Sequence, residues 1–313
     1  MSTRDSSALA AASVPPSPTF GQKSFVALQH VMPQHLFTSV VYKATRSRSP
    51  AIKNWLIGSF MRGFKPEMSD AVQPDPFAYA SFNEFFTRAL KPEARPFTRD
   101  ASTLISPVDG TIAQLGRIEG NQILQAKGRH YSLEALLARP SDWTAQFRGG
   151  SFATLYLAPY NYHRIHMPLD GTLRAAWYVP GDLFSVNATT AAAVDRLFAR
   201  NERVVCLFED GALTYALVLV GALFVGSMTT IWHGDITPRR PRTPLELPVE
   251  DVKAALFARQ GDEMGRFNMG STVVLVLPPG TASWLPDCKA LDKIRMGQPL
   301  AKITRPASAP IRQ

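Results

Sequence analysis

Between Ser6 and Pro66 the chain has no aspartate or glutamate. Residues 1–65 set Arg4, Lys23, Lys43, Arg46, Arg48, Lys53, Arg62 and Lys65 against Asp5 alone, so this arm holds +7 of the chain's formal +9. Such a surface suits an anionic partner, whether nucleic acid, anionic lipid or an acidic protein, and charge alone does not choose among them. Cysteine is scarce as well. Cys206 and Cys288 are too few for a disulfide scaffold and lack metal-ligand spacing, so a reducing compartment is expected. A spanning helix is missing too. The longest apolar stretch, Ala212 to Met228, is broken by Thr214, Gly221 and Gly226 and is rich in Val and Leu, which reads as buried strands. The first nineteen residues have no basic segment ahead of a continuous apolar run, so they read as a loose tail without a secretion signal.

What is present is a well-supplied core. At 313 residues, with 45% hydrophobic and 19% charged residues, the chain is globular in character. Ser24 to Lys43 spaces Phe25, Leu28, Val31, Met32, Leu36, Phe37, Val40 and Val41 as two short amphipathic helices kinked at Pro33. Ile52 to Phe64 repeats the pattern, with Trp55, Leu56, Ile57, Phe60, Met61 and Phe64 beside Lys53 and Arg62. These helices suit either a hairpin packed on the body or a bilayer interface, with apolar residues down and cations at headgroup level. Ser81 stands three residues before Glu84, a capping-box arrangement that opens another helix.

Beyond Arg99 the texture turns to β. Strands are expected at Thr103–Ile105, Gly110–Leu115, Gln122–Ala126, Phe152–Leu157, Thr172–Val179, Val204–Phe208, Leu213–Val220, Leu223–Thr230 and Val273–Leu277. Helices are expected at Tyr131–Ala138 and Ala188–Arg200, and the proline-rich Gly234 to Pro248 reads as a loop. The class is α+β: a disordered tail (1–22), a helical membrane-associating arm (23–98), a mostly β catalytic domain (99–304) and a flexible tail (305–313).

Three short motifs carry chemistry. His163 and His166 lie three apart between Pro159 and Pro168, and in a helical or 3₁₀ turn both rings would share one side. A zinc site would need further ligands, and none has a supporting spacing, so no metal is expected. Asp109 sits in Ser106-Pro-Val-Asp-Gly110; an Asp-Gly is above all a turn signal, but one carboxylate is all that an Asp-His-nucleophile relay requires. Ser271 follows Gly270 at the mouth of an apolar strand, where the glycine permits a strained peptide.

Together these segments resemble the bacterial phosphatidylserine decarboxylases, a pyruvoyl-dependent membrane enzyme family. The resemblance runs through Phe82-Asn-Glu-Phe-Phe86, Ser106-Pro-Val-Asp-Gly110, Gln125-Ala-Lys-Gly128, Tyr131-Ser-Leu-Glu-Ala-Leu-Leu137 and Tyr162-His-Arg-Ile-His-Met-Pro168. It continues through Tyr178-Val-Pro-Gly-Asp-Leu-Phe-Ser-Val-Asn187, Leu197-Phe-Ala-Arg-Asn-Glu-Arg-Val204, Glu263-Met-Gly-Arg-Phe267 and Gly297-Gln-Pro-Leu300. Only the two tails and the proline-rich loop fall outside it. The family's usual Leu-Gly-Ser-Thr is Met-Gly-Ser-Thr here, a volume-conserving change at Met269 that should leave cleavage intact.

The resemblance implies a precursor that cuts its own Gly270–Ser271 bond into a β chain, 1–270, and an α chain, 271–313. In that scheme His166 takes the Ser271 proton and Asp109 holds His166 in the productive tautomer. Ser271 ends as a pyruvoyl group, a covalent pyruvate cofactor that forms a Schiff base with phosphatidylserine, whose decarboxylation gives phosphatidylethanolamine. His163 is the expected donor of the proton that replaces the lost carboxylate, and Phe184 and Ser185 are expected to line the headgroup pocket. The implied location is the cytoplasmic face of the cell membrane, peripherally bound, with no nucleic-acid partner; the sequence leaves a homodimer open. The alternative is a serine hydrolase using the same Asp-His-Ser set on a separate lipid or peptide. A non-catalytic binder that uses only the basic arm is a third reading.

Overall fold

The computed structural model describes residues 20–31, 33–139, 141–223, 227–236, 243–248 and 256–306. Most of both expected tails, and parts of the expected Leu223–Thr230 strand and the proline-rich loop, lie outside the described residues. The arm is helical, as its apolar spacing requires: α1 spans Phe20–Val31, α2 Gln34–Thr45 and α3 Pro50–Phe64. Pro33 separates the first two because its ring fixes φ and removes a backbone donor. Pro50 occupies the first turn of α3, and Lys65 closes it in the left-handed region at φ 48°. The Ser81 hydroxyl accepts the Glu84 N–H at 3.2 Å and opens α4, Phe82–Phe86, as the capping box predicts.

One apolar stripe ties the arm to the body. Phe60 on α3 meets the rings of Phe82, Phe85 and Phe86 at 5.4, 5.8 and 5.7 Å, with Ile57 fully buried beside them. The other stripe stays in solvent: Leu36, Val40 and Trp55 are 60%, 59% and 68% exposed.

The body is built on a large antiparallel sheet. Its order is Leu245–Glu246, Gly171–Val179, Arg203–Asp210, Leu213–Val220, Ser271–Leu277, Ser151–Leu157, Gly110–Arg117 and Lys293–Ile294, with Phe257–Ala258 also pairing to Gly171–Val179. Both faces are covered. Val273, Leu275 and Leu277 enter one core with Leu155, Leu217 and Phe208, whereas Val274 and Val276 enter a second with Phe152, Trp177 and Val218. Burial on two faces explains why these strands read as unbroken apolar runs instead of alternating ones. A four-stranded sheet, Gly234–Asp235, Met228–Thr230, Glu263–Phe267 and Arg164–His166, contributes Met228, Met264, Phe267 and Ile165 to the first core.

Three expectations need correction. The His163–His166 segment is not a helical turn: Arg164–His166 pairs with Glu263–Phe267, and in extended backbone positions three apart face opposite ways. Gly234 to Pro248 is not wholly loop, because Gly234–Asp235 and Leu245–Glu246 find partners in Met228–Thr230 and Gly171–Val179. The expected helix Ala188–Arg200 is two, Ala188–Ala193 and Leu197–Arg200, separated at Arg196 with φ 51°.

Candidate active site

Asp109, His163, His166 and Ser271 gather at one end of the large sheet's central strands. Ser271 opens its strand opposite Leu157, and on the next strand Gly110 packs so tightly that an added Cβ would lie 2.3 Å from the Tyr156 carbonyl oxygen. That close approach requires glycine and draws the Ser106–Asp109 turn over the strand ends. The His166 N–H donates to the Pro107 carbonyl at 2.8 Å, fastening the histidine segment to the same turn.

Ser271 is fully buried, and its Oγ has no hydrogen-bond partner. His163 is equally buried. Its Nδ1 donates to the Asn161 carbonyl at 2.8 Å, so Nε2 carries the lone pair; it too is unpartnered and lies 3.9 Å from where a Cβ on Gly270 would stand. Desolvation depresses the His163 imidazole to about 3, with nearby Arg88 pushing the same way and the Asn161 hydrogen bond opposing. The ring is a neutral base.

His166 is held differently. Nδ1 donates to the Gly261 carbonyl at 2.8 Å, and Nε2 accepts the Tyr162 hydroxyl at 2.9 Å. Burial lowers its basicity, while the Gly261 hydrogen bond and the charges of Glu263 and Asp109 support its protonated form. Asp109 itself is gripped by Arg95, Nε to Oδ1 at 2.9 Å and Nη2 to Oδ2 at 2.5 Å, and its Oδ1 also accepts the Met296 N–H at 2.9 Å. Asp109, His166 and Ser271 are thus collected at one end of the strands without a hydrogen bond among them. His163, not His166, stands beside the Gly270–Ser271 junction.

Phe184 and Ser185 follow the Gly171–Val179 strand, and the Asn201 side-chain amide donates to both the Phe184 and Gly221 carbonyls, at 2.7 and 2.8 Å, at the end of the strand that neighbours Ser271. Phe184 is buried, with His30 4.8 Å away and the Arg200 guanidinium 4.9 Å over its ring; the Ser185 N–H donates to the Gln29 side chain at 2.7 Å. These contacts dock α1 on the body. A cleft of about 260 Å³ opens beside Asp109, lined by Arg88, Arg95, Tyr162 and Lys293 among others, but neither Ser271 nor His163 reaches it.

The comparisons with known proteins decide the family. A family model for phosphatidylserine decarboxylase matches residues 82–302, well over half the chain, and a second, PSD, matches residues 24–65. The chain belongs to the phosphatidylserine decarboxylase family. It is 46% identical to the phosphatidylserine decarboxylase proenzyme of Bordetella bronchiseptica over 90% of this chain and 95% of that one. It is 49% identical to the Acidovorax ebreus proenzyme over 87% and 95%, and 49% identical to that of Pseudoalteromonas translucida over 89% and 97%.

Sequence reasoning missed several residues that hold the expected ones in place. Arg95, which holds Asp109, sits in an unremarked Lys-Pro-Glu-Ala-Arg-Pro run, and Gly261 supplies a carbonyl that no side-chain motif could announce. Tyr162 was visible as a tyrosine flanking the histidines, though not as a partner of His166 Nε2.

Proposed function

We propose that this chain is a self-processing decarboxylase that converts phosphatidylserine to phosphatidylethanolamine and carbon dioxide, using a carbonyl made from its own Ser271. The observation that carries the reading, beside family membership, is a nucleophile with no exposed surface next to a peptide bond of the same chain. A hydrolase acting on separate substrates needs a reachable hydroxyl. A hydroxyl that attacks the adjoining Gly270 carbonyl does not, and burial keeps water from competing.

In this reading a base removes the Ser271 proton, Oγ attacks the Gly270 carbonyl carbon, and the peptide C–N bond breaks to give an ester. Loss of the ester oxygen by elimination, then hydrolysis with release of ammonia, leaves a pyruvoyl group at the head of residues 271–313. Held at residue 271, that group would supply an electrophilic carbonyl for the substrate amine and a sink for the electrons freed as carboxylate leaves. His166 is the assigned base for Ser271; its Nε2, which accepts the Tyr162 hydroxyl, must exchange that partner for the Ser271 hydroxyl. Asp109 supports the resulting imidazolium through its charge. His163, beside Gly270, is the assigned proton donor after carbon dioxide leaves: its unprotonated Nε2 first takes a proton from the incoming substrate ammonium and then returns it to the carbanion. Its free Nε2 also favours a second reading in which the two histidines exchange these tasks.

No helix among the described residues is long and apolar enough to cross a membrane. The exposed stripe of Leu36, Phe37, Val40, Ile52 and Trp55, on helices within the acid-free stretch from Ser6 to Pro66, supports peripheral docking at the cytoplasmic face. Burying apolar surface stabilises by roughly 25 cal/mol per Å², and each Lys or Arg near an anionic leaflet adds about 1 kcal/mol. Release of carbon dioxide from phosphatidylserine vesicles, with and without Ser271→Ala, tests the function. Activity retained by the alanine variant would refute it.

A further inference from the structure

Glu202 has no role in the processing scheme above, yet it shares a face of the sheet with Ser271. Val220 pairs with Arg203 on one side and with Thr272 on the other. The Gly221 N–H donates to the Glu202 carbonyl at 2.9 Å, so the pairing continues one residue further. Glu202, Gly221 and Ser271 therefore form a row across three adjacent strands, and residues in such a row project to one face. Val204, Leu219 and Val273, two residues along from each, all enter the same core. Gly221 opens the way between the two side chains: a Cβ there would stand 3.1 Å from Glu202 Cγ and 3.4 Å from its Oε1. The carboxyl lies over that glycine, beside the Ser271 strand.

Its surroundings make it an unusual acid. Glu202 is 3% exposed, and its Oε2 accepts the Tyr178 hydroxyl at 2.9 Å. Burial raises the carboxyl to about 7, with the Tyr178 hydrogen bond opposing the rise. An acid that gains and loses its proton near neutral pH suits a step that needs both actions.

We propose that Glu202 is a catalytic acid of the decarboxylation, acting at the carbonyl derived from residue 271 while His163 flanks the junction at Gly270. The inference rests on the reading of Ser271 given above. As the substrate's amine nitrogen bonds to the carbonyl carbon, the C=O π pair moves to oxygen, which takes the Glu202 proton. The nitrogen's surplus proton passes to the Glu202 carboxylate. Delivered again, now to the hydroxyl, it carries the oxygen off as water while the nitrogen lone pair closes a C=N bond. This leaves a protonated nitrogen beside a Glu202 carboxylate, and hydrolysis of the product runs the sequence backwards and restores the acid.

The test is Glu202→Gln in the full chain, which keeps the shape of the side chain but cannot give up a proton. Cleavage is followed by gel, the carbonyl of the 271–313 fragment by phenylhydrazine labelling, and substrate attachment by borohydride trapping with phosphatidylserine vesicles in a single turnover. Cleavage and labelling should match the wild type, while trapping and kcat fall by about 10²-fold or more and the alkaline limb near pH 7 disappears. Trapping at the wild-type rate overturns the assignment, and so does a variant that fails to cleave, because the carboxyl would then serve folding or processing. Tyr178→Phe provides a second reading: loss of its hydrogen bond should move the alkaline limb upward, and a limb that stays in place counts against Glu202. A wild-type fragment without a reactive carbonyl would instead overturn the underlying reading of Ser271.

Discussion

His163 turns an unpartnered Nε2 toward Gly270, 3.9 Å from where a Cβ would stand on that residue, while its other nitrogen is committed to the Asn161 carbonyl. His166, three residues on, has both nitrogens occupied by Gly261 and Tyr162. The two histidines are therefore separable by mutation. His166→Ala should slow formation of the two chains, whereas His163→Ala should spare cleavage and lower turnover by about 10²-fold or more. Band intensities on a denaturing gel, set beside carbon dioxide release, check the division of labour; equal loss of both activities in His163→Ala would refute it.

His163 also gives stability an acid limit. Its imidazole falls from 6.5 to about 3 on folding, so the unfolded chain binds the extra proton. The contribution is complete above pH 6.5 and is lost as pH falls toward 3, at about 1.4 kcal/mol per pH unit at most. Urea unfolding of the uncleaved Ser271→Ala chain should show this decline, and adding His163→Gln should flatten it.

Glu202 has the opposite sign. Its carboxyl rises on folding to about 7, so its stabilising contribution is complete below 4.5 and is lost as pH rises through 7. Glu202→Gln should therefore gain stability over the wild type between pH 5 and pH 8, on the order of 3 kcal/mol at the upper end. Thermal melts at the two pH values check it. An acid that destabilises the fold at working pH is what a functional carboxyl at a buried site would cost.

Arg95 joins Asp109 to Asp70 through three of its nitrogens, with Nη1 to Asp70 at 2.8 Å. Removing one member of so buried a pair leaves the other uncompensated. Arg95→Ala should lose about 3 kcal/mol of unfolding free energy, and Arg95→Lys should recover part of it. Denaturant titration of the Ser271→Ala background measures both.

The exposed stripe on the arm makes a separate claim. Leu36→Glu combined with Trp55→Glu places charge on the face proposed to meet lipid, at residues 60% and 68% exposed. Sedimentation with anionic vesicles should fall sharply while cleavage of the chain is unchanged.

Much of this protein was legible in its sequence. The Leu213–Val220 strand, the two ends of the Pro33 break and the Ser81 cap follow from residues close together in the chain, where apolar runs, proline and a hydroxyl act locally. The histidine segment was misread because two flanking prolines suggest a turn, whereas its backbone is satisfied by Glu263–Phe267, about a hundred residues away. Gly234–Asp235 and Leu245–Glu246 were hidden for the same reason: the prolines near them are local, and their partners are not. Asp109, His163, His166 and Ser271 could be picked out from motifs as candidates, and the fold brings Asp109 and the histidine segment together at the Pro107 carbonyl. That Glu202 reaches across Gly221 could not, because the row exists only once three strands have paired.

The most direct test is the intact mass of the purified protein. The account predicts two chains, residues 1–270 at full mass and residues 271–313 lighter than their sequence by the exchange of serine for pyruvoyl, with the lighter chain blocked to Edman sequencing. A single unbroken chain of 313 residues that still releases carbon dioxide from phosphatidylserine would contradict it.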